Sequence, residues 1–476
     1  MKQFFGKKSR STLALVIMVS FILHLLAIVI FGTIKFVSAV MREETVFEAA
    51  PIEPPPQKEP EYTVNLKQRN QSTPPPRPPA IVVNNPSELD IPALDIDVNV
   101  DNSSVYGRGG GGFGDGIAGV REMALTNFLP ESMSGRCSPQ ERMQRLREMG
   151  GTETGERAVT RALNWLQKTQ NEDGSWTAKQ GQPYPVAMTG MAILAYLGHC
   201  ETPNSHKYGD TVAAGIVYLI SQGMKDGHNG LLCSPGVTSH ATAYEHGIAA
   251  YALAESYTLC KEVDYEIPNL REVTKKVNER ILEGQTDAGG YVYQLPNRGN
   301  GGDNSVGYWQ MQALKAYKHT KIGSSGEIRR HIKNSMEWLE KVQGPNGAIG
   351  YRSDPNRSPG LTGGALLCMQ FWGEGNSRAA KKAAEYIREN TKFVNFRDKS
   401  ANLYYHYYNA QAMINVGGET WDWYNQLVRD KIIEAQQDDG SWNQRMNHGP
   451  VNNHMATCLA TMLLEVYYRF LPGTAD

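Results

Sequence analysis

Net charge is almost absent from this sequence, and so are the cysteine patterns of a metal-binding domain. The 476 residues include 48 Lys and Arg against 49 Asp and Glu, so no broad electrostatic field attracts nucleic acid or acidic polymers. The six cysteines form neither CxxC pairs nor Cys/His ligand spacing, which leaves a structural zinc site without support. We therefore expect no nucleic-acid partner, no metal and no cofactor.

Asp, Glu, Lys and Arg are also missing from the 23 residues Thr12–Ile34, a length that crosses a hydrocarbon core of about 30 Å as one helix. Four basic residues precede this stretch, which are Lys2, Lys7, Lys8 and Arg10. The positive-inside rule then predicts a cytoplasmic tail (residues 1–11), a transmembrane helix in the lipid bilayer (12–34) and export of the remainder. A cleaved signal peptide is the alternative, because Val37-Ser38-Ala39 has the small residues of a cleavage site, although the apolar stretch exceeds the usual length.

The predicted transmembrane helix contains His24, and Ser20 lies four residues earlier on the same face. An ionisable group at this depth is costly and is expected to face a protein partner or a proton path. The element SFILH, followed by a proline-rich linker, resembles the N-terminus of TonB-type energy transducers. The resemblance implies a bacterial inner-membrane protein with a periplasmic domain and an ExbB/ExbD-like motor as partner of Ser20 and His24. The alternative is a histidine without a role in a passive anchor.

Residues 35–135 have the composition of a linker. Twelve of the 25 prolines lie between residues 51 and 92, which favours extended polyproline II chain. A glycine-rich stretch follows at Gly107–Gly119, where the backbone has little conformational restriction. We interpret both as spacers. Binding of a partner protein is the alternative.

The remaining sequence repeats one unit six times, each a helix, a turn and a second helix. The turns include QNEDGSW at Gln170, QTDAGGYVY at Gln285, QGPNGAIGY at Gln343 and QQDDGSW at Gln436. The second unit has DGHNGLLC, and the fifth has a degenerate turn. First helices carry charges at every third or fourth position, as an outer wall does, whereas second helices are rich in Ala, Gly, Leu and aromatic residues. We predict an all-α fold of six hairpins with an inner and an outer ring.

The turn itself has an architectural role in this interpretation. Asp-Gly places a residue that tolerates positive φ in the turn, the initial Gln is able to bond backbone groups at a helix end, and Trp covers the apolar joint. The motif resembles the repeat of squalene cyclases and protein prenyltransferases. The resemblance covers residues 136–472 and implies an α/α toroid. It implies no reaction, because the same scaffold carries cyclases, transferases and non-enzymatic domains.

The sequence lacks the characteristic residues of two branches of this family. Class II terpene cyclases need a DxDD acid, whereas Asp95-Ile-Asp97 lies in the linker and Asp438-Asp439 in a turn. The CGEQ-like sequence of the thioester branch does not occur either. Cation-initiated cyclisation therefore has no proton donor of the family type.

Prenyltransferase chemistry is incomplete in the same way. These enzymes hold zinc through an Asp-x-Cys element and a distant His. Asp303-Asn304-Ser305 has Ser in place of the thiolate, and Ala456 stands where the His would align. A displaced site that uses His454 is the alternative.

Polar and aromatic residues cluster where the second helices begin. They are His240, Tyr244, Glu245, His246, Asp303, Tyr308, Gln310, Tyr404, Tyr405, His406, Tyr408, Gln411, His448, Asn452 and His454. Such residues suit a ligand pocket, and they equally suit hydrogen bonds that close a helical barrel. The candidate ligand-binding residues are Tyr244, His246, Asp303, Trp309, Tyr405, His406 and His454. The candidate catalytic residues are His246, Asp303, His406 and His454.

The leading functional hypothesis is a membrane-anchored envelope module, coupled to a proton motor, whose toroid binds a ligand or a partner protein. The alternative is a toroid enzyme acting on an isoprenoid, glycan or peptide, with one of the candidate catalytic residues as acid or base. A structural spacer is a third alternative. Cys200 and Cys260 both end second helices, so we also expect a disulfide between them if their Cα atoms approach within about 7 Å.

Overall fold

The computed structural model describes Met18, Ser20 and residues 131–178, 184–234, 240–295, 301–352, 358–392, 394–397, 401–443 and 452–470. The chain divides into two units, Met1–Val82 and Val83–Asp476. In the first unit the two described residues are helical and exposed. The rest of the predicted transmembrane helix, with His24, and the linker up to residue 130 lie outside the described residues. Among the helices of the described part of the chain, none combines the length and apolarity that crossing a membrane requires.

A short 3₁₀ segment, Glu131–Arg136, precedes fourteen α-helices in the described ranges. They are α1 (Pro139–Glu148), α2 (Glu153–Thr169), α3 (Pro185–Gly198), α4 (Gly209–Gly223), α5 (His240–Glu262), α6 (Leu270–Glu283), α7 (Asn304–His319), α8 (Ser325–Val342), α9 (Pro359–Phe371), α10 (Arg378–Asn390), α11 (Leu403–Val416), α12 (Gly418–Glu434), α13 (Asn453–Leu464) and α14 (Val466–Arg469). The helices α2 to α13 form the six predicted hairpins. In each hairpin the even-numbered helix comes first.

Burial separates the two rings as the residue pattern predicts. In α10 the buried residues are Ala380, Ala383 and Ile387, which lie on one face of a 3.6-residue helix, and the charged residues occupy the other face. Ser377 caps this helix by accepting a hydrogen bond from the Ala380 amide (3.1 Å). The inner helix α9, in contrast, is buried from Pro359 to Met369. Even-numbered helices therefore form the outer ring, and odd-numbered helices from α3 to α13 the inner ring.

The inner ring is closed. Each inner helix packs against the next one along the chain, and α13 packs against α3. Small residues allow the close approach: a Cβ atom added to Gly364 on α9 would lie 2.2 Å from the ring of Tyr308 on α7. The fold is an α/α toroid, which confirms the predicted fold class. We call the end where the inner helices begin the upper face and the end where they finish the lower face.

The glutamine of the repeated turn joins neighbouring hairpins. Gln170 donates through Nε2 to the carbonyl of Gly174 in its own turn and to the carbonyl of Thr211 on α4, both at 2.9 Å. Gln285, Gln343 and Gln436 repeat this pair of bonds in their own turns, with His331, Ala379 and Ala158 as the outer-helix acceptors. We call this arrangement the inter-hairpin contact. Because Ala158 belongs to α2, the sixth hairpin makes the same contact with the first.

The tryptophans and glycines of the turn have the predicted structural roles. Trp176 is fully buried and donates through Nε1 to the carbonyl of Leu166 (2.8 Å). Gly440 has a φ of +94°, and a Cβ atom there would lie 2.5 Å from the carbonyl oxygen of Arg161 on α2. Only glycine allows the turn to approach the neighbouring outer helix so closely.

The expected disulfide between Cys200 and Cys260 is wrong. Cys200 is bonded to Cys137, with the Cα atoms 5.0 Å apart, whereas Cys260 is a free, buried cysteine. Cys200 follows the end of α3 with a φ of +61°, which turns the chain toward α1. Cys260 does not end its helix, because α5 continues to Glu262, and its side chain packs in the core.

Candidate functional site

Asp303 lies at the upper face, immediately before the inner helix α7. Its carboxylate accepts a hydrogen bond from the Ser305 amide (3.0 Å) and so caps the helix. The side chain is 3 % exposed. Burial raises the pKa of this carboxyl above its usual range. Asp303 therefore holds a proton more readily than a solvent-exposed aspartate does.

Hydroxyl groups from three hairpins surround this carboxyl. Ser305 donates its Oγ proton to Asp303 Oδ1, and Tyr244 on α5 donates to Ser305 Oγ (2.7 Å). Tyr293 also hydrogen-bonds to Asp303. Tyr404 on α11 donates to the backbone carbonyl of Ser305 (3.0 Å). The hydroxyls of Tyr244, Ser305 and Tyr293 are thus connected to one carboxyl, and Tyr404 bonds to the backbone beside it; we call these residues the Asp303 cluster.

An aromatic cluster, defined as Tyr308, Trp309, Tyr404, Tyr407 and Tyr408, adjoins these hydroxyls. Trp309 donates through Nε1 to the Tyr404 hydroxyl (2.8 Å) and stacks on Tyr407 with ring centroids 5.5 Å apart. Tyr308 meets Tyr408 edge to face at 5.7 Å. Such pairs add about 0.5–1.5 kcal/mol each beyond their burial. The cluster therefore holds the starts of α7 and α11 rigidly beside Asp303.

Glu245, a second buried carboxyl among the described residues at this face, has a local structural role. It accepts hydrogen bonds from the Ser234 amide (2.7 Å) and hydroxyl and from the amides of Val186 and Ala187. The latter two are the unpaired amides at the start of α3, which no side chain at its N-cap position satisfies. Burial raises the pKa of Glu245. The carboxyl of Glu245 thus replaces the missing cap of a neighbouring helix.

His246 does not face the interior of the inner ring. Its Nδ1 accepts the Leu232 amide (3.0 Å), and its Nε2 donates to the carbonyl of Val277 on the outer helix α6 (3.0 Å). In hairpins one, four and six, the turn amide that corresponds to the Leu232 amide donates instead to a threonine hydroxyl. These threonines are Thr189, Thr362 and Thr457. Burial lowers the pKa of His246 to about 4. Both ring nitrogens are engaged by backbone, which favours the structural alternative for this residue.

The remaining candidates also face the outer ring. His406 bonds through Nδ1 to the hydroxyl of Tyr424 on the outer helix α12 (2.7 Å), and burial lowers its pKa to about 3. Tyr405 bonds to the hydroxyl of Thr391, which follows the outer helix α10. The ring of His454 packs 4.8 Å from Trp165 on α2. Of the predicted ligand-binding residues, the structure brings together Tyr244, Asp303 and Trp309, and it places His246, His406, His454 and Tyr405 elsewhere.

In the predicted set, His448 and the side chain of His240 lie outside the described residues. Within the ranges that the structure describes, no group of three or more His, Cys, Asp and Glu side chains is arranged to hold a metal ion.

The structure also reveals a buried charge cluster at the lower face, which sequence reasoning missed. Arg136 donates to Glu255 (3.2 Å), Arg469 lies 3.7 Å from the same oxygen, and Glu465 is four residues before Arg469. All four side chains are at most 1 % exposed. Burial raises the pKa of Glu465 to about 8. Burial favours the neutral form of Glu255 as well, but Arg136 and Arg469 outweigh it and hold the pKa of Glu255 below its usual range.

A histidine extends this network toward solvent. His199, directly after α3, lies between Glu201 (2.9 Å from Nδ1) and Glu156 (3.0 Å from Nε2). Burial alone would lower the pKa of this imidazole, but the hydrogen bonds to the two carboxylates raise it to about 9. Arg142 on α1 bonds Glu156 as well (3.0 Å). The network therefore binds α1 to the first hairpin.

Comparison with solved structures supports the architecture. No protein-family model matches the sequence, and no curated protein matches it. An inactive variant of the α-1,6-mannanase GH76A of Salegentibacter sp. HEL1_6, in complex with α-1,6-mannotriose, has a similar fold, with a TM-score of 0.50 and 12 % identity over 66 % of this chain and 99 % of that one. The chain shares the α/α toroid.

A type II terpene cyclase, MstE from Scytonema in complex with merosterolic acid A, has a TM-score of 0.47 and 11 % identity, covering 69 % of this chain and 98 % of that one. At 12 % identity the likeness to the mannanase describes the fold alone and does not identify a reaction.

Proposed function

We propose that the toroid is an enzyme that acts on a hydroxyl-rich substrate such as a glycan, at the upper face, with Asp303 as the group that transfers a proton. The observation that supports this is the Asp303 cluster: one buried carboxyl with a raised pKa, connected to hydroxyls from two hairpins, with the Tyr404 hydroxyl of a third on the adjacent backbone carbonyl and aromatic rings beside it. A general acid must hold its proton near the working pH, and burial is a common way to achieve this.

The surroundings of Asp303 favour a glycan over an isoprenoid. Hydroxyls of a sugar are able to exchange hydrogen bonds with Ser305, Tyr244 and Tyr404, whereas a hydrocarbon offers no replacement for bonds that it displaces. Aromatic faces with a few convergent polar groups are typical of sites for such ligands. Glu245 caps a neighbouring helix. Asp303 is therefore the carboxyl that we propose transfers the proton.

The substitution Asp303→Asn tests this proposal. Asparagine caps a helix start about as well as aspartate, so the variant is expected to fold, but its side chain does not release or take up a proton. Full-length protein would be incubated with oligosaccharides of defined linkage, beginning with α-1,6-mannotriose, and the products separated and identified by mass. We expect turnover by the wild type and a loss of about 100-fold or more in the variant.

Asp438→Asn is the matched control, because Asp438 is an exposed residue of the sixth turn and the chemical change is the same. Equal turnover by both variants would exclude Asp303 as the proton-transfer group. Binding of an oligosaccharide without turnover by any of the proteins would instead support the non-catalytic hypothesis, in which the toroid only binds its ligand.

We further propose that residues 12–34 anchor the chain in a bacterial inner membrane, with the toroid in the periplasm. The charge-free stretch and the preceding basic residues support this topology. The disulfide Cys137–Cys200 supports it independently, because disulfides persist mainly in oxidising compartments such as the periplasm. Cysteine labelling with a membrane-impermeant reagent in intact and lysed spheroplasts would test it, after a cysteine has been introduced at Ser9.

The proposed partner of the anchor is an ExbB/ExbD-like motor, which Ser20 and His24 would contact. Replacing His24 by leucine is expected to leave the protein in the membrane, because leucine is more apolar, and to abolish crosslinking to that partner. Ser11→Leu, outside the apolar stretch, serves as control. An unchanged crosslinking pattern in His24→Leu would contradict the coupling and leave the toroid unaffected.

A further inference from the structure

The segment Glu131–Arg136 lies outside the six hairpins and packs against α1 and α14 at the lower face of the toroid. Its last residue, Arg136, is fully buried. The guanidinium donates to the carbonyl of Leu197 on α3 (3.1 Å), to Glu255 on α5 (3.2 Å) and to the carbonyl of Arg469 on α14 (2.9 Å). One side chain thus hydrogen-bonds to three elements, two of which, α5 and α14, are also linked by the ion pair between Arg469 and Glu255 (3.7 Å).

The favourable contacts of the Arg136 guanidinium are nearly balanced by the free-energy cost of burying its charge. Burial lowers the pKa of Arg136, which shows that the charged guanidinium loses hydration in its site. The attraction of Glu255 and the two carbonyls offsets that cost. Met133 is also buried in the core, whereas the neighbouring Cys137 is exposed to solvent. The segment is therefore held by a few contacts of modest net strength, next to an accessible residue.

The disulfide Cys137–Cys200 fixes the segment at this accessible point. Cys137 directly follows Arg136, and Cys200 follows the end of α3. The other four cysteines, Cys233, Cys260, Cys368 and Cys458, are buried. Burial raises the pKa of each of their thiols, and this disfavours the reactive thiolate. Within the described part of the chain, the Cys137–Cys200 pair is therefore the favoured site of reaction with an external thiol.

We propose that Cys137–Cys200 is a reversible thiol–disulfide exchange site that controls the release of residues 131–136 from the lower face, and that its reactant is a dithiol reductant. A thiolate of the reductant attacks the exposed Cys137 sulfur, the Cys137–Cys200 bond breaks, and Cys200 leaves as a thiolate that takes up a proton. The second thiol of the reductant then resolves the mixed disulfide. Two electrons pass from the dithiol, which becomes a disulfide, and both cysteines become thiols.

Reduction of the disulfide changes which contacts must break before residues 131–136 leave the lower face. In the oxidised protein Cys137 stays next to Cys200, so Arg136 remains close to Glu255 even when its hydrogen bonds break. In the reduced protein only noncovalent contacts hold the segment, among them the bond from Arg142 to the Arg136 carbonyl (3.1 Å). When the Arg136 side chain leaves, Glu255 keeps only Arg469, 3.7 Å away, as its cationic neighbour. The buried charge cluster then becomes accessible to water. The exposure of this charge cluster at the lower face then depends on the thiol redox poise.

Labelling of arginine with phenylglyoxal tests this directly, because Arg136 and Arg469 are at most 1 % exposed in the oxidised protein. Full-length protein would be labelled before and after reduction with tris(2-carboxyethyl)phosphine, then digested and mapped by mass. We expect Arg136 to be unlabelled in the oxidised state and labelled at least tenfold faster after reduction. Hydrogen exchange of residues 131–138 is expected to accelerate in parallel.

The double variant Cys137→Ser, Cys200→Ser provides the control. It is expected to behave like the reduced protein without any reductant and to show no response when reductant is added. Protection of Arg136 in both redox states would overturn the proposal. Faster exchange throughout the toroid, including the inner helix α9, would overturn it as well, because the disulfide would then be a general stabiliser.

Discussion

Replacing Gly440 by alanine is expected to weaken the contact that closes the ring. Gly440 has a φ of +94°, which costs an L-residue about 1–2 kcal/mol. The new Cβ would also lie 2.5 Å from the carbonyl oxygen and 2.9 Å from the carbonyl carbon of Arg161. These are backbone atoms of α2 and do not rotate away. The sixth turn must then retreat from the first hairpin, with loss of the hydrogen bond from Gln436 to Ala158 (2.8 Å).

Gly227 provides the matched control for this prediction. Its φ is +79°, but no atom lies within 4 Å of a Cβ placed there. Gly227→Ala therefore carries the backbone cost alone, about 1–2 kcal/mol. Gly440→Ala adds an overpacking cost of about 1–3 kcal/mol, for a total of roughly 2–5 kcal/mol. The difference between the two variants measures the tightness of the closing contact.

The free energy of unfolding of the full-length variants would be measured by guanidinium denaturation, with far-ultraviolet circular dichroism as the signal. We expect a lower midpoint for Gly440→Ala than for Gly227→Ala at similar slopes. Equal midpoints would refute the reasoning, because they would show that the turn moves away from α2 without cost and that the ring is not closed by a tight contact.

Three further substitutions test the buried polar groups. The pKa of Glu465 is raised from 4.5 to about 8. Its contribution to stability is therefore present below pH 4.5 and is lost as the pH rises through 8. Because glutamine does not titrate, Glu465→Gln is expected to lose less thermal stability than the wild type between pH 5 and 8. His246→Ala removes bonds to two backbone groups and is expected to cost about 2–4 kcal/mol in denaturant unfolding. The lowered pKa of His246 implies that its contribution is present above about pH 6.5 and is lost as the pH falls toward 4. Arg136→Met leaves Glu255 buried without its nearest cation, and we expect a loss of about 3–5 kcal/mol in the same assay. A change below about 1 kcal/mol in either of the latter two variants would contradict the assigned role.

The fold was predictable because its signals are local and repeated. Each turn contains its own Gln, Gly and capping residues within a few positions, and the outer helices show a clear 3.6-residue pattern. The Asp303 cluster was partly predictable for the same reason, since Asp303 is an aspartate next to a helix that otherwise carries few charges. Ser305 was noticed only as a departure from a family motif, and its link to Tyr244 required the structure.

The direction of the inner-helix side chains was not predictable. Inner helices are buried on all sides, so hydrophobic periodicity does not indicate which face a residue occupies. His246 and His406 therefore resembled residues of a central pocket, although they bond to outer-ring groups.

The buried charge cluster was hidden by sequence separation. Arg136 and Glu255 are 119 positions apart, and residues 131–136 precede the repeats. A weak signal existed, because Glu255 and Glu465 are carboxylates in apolar helices and such groups require a partner. Cys137 likewise precedes the repeats, so the repeat pattern does not indicate its pairing with Cys200.

The contact between the sixth and first hairpins has a consequence for how the domain unfolds. An open array of repeats has two ends, frays from them and needs capping units. Here every hairpin has a neighbour on both sides, so removal of any one hairpin breaks two interfaces and no repeat serves as an end. Arg136 and Arg469 are hydrogen-bonded to each other near the two termini of the toroid. A chain circularly permuted at an exposed turn, such as the one containing Gly227, is therefore expected to keep the same set of interfaces and to unfold in one cooperative step.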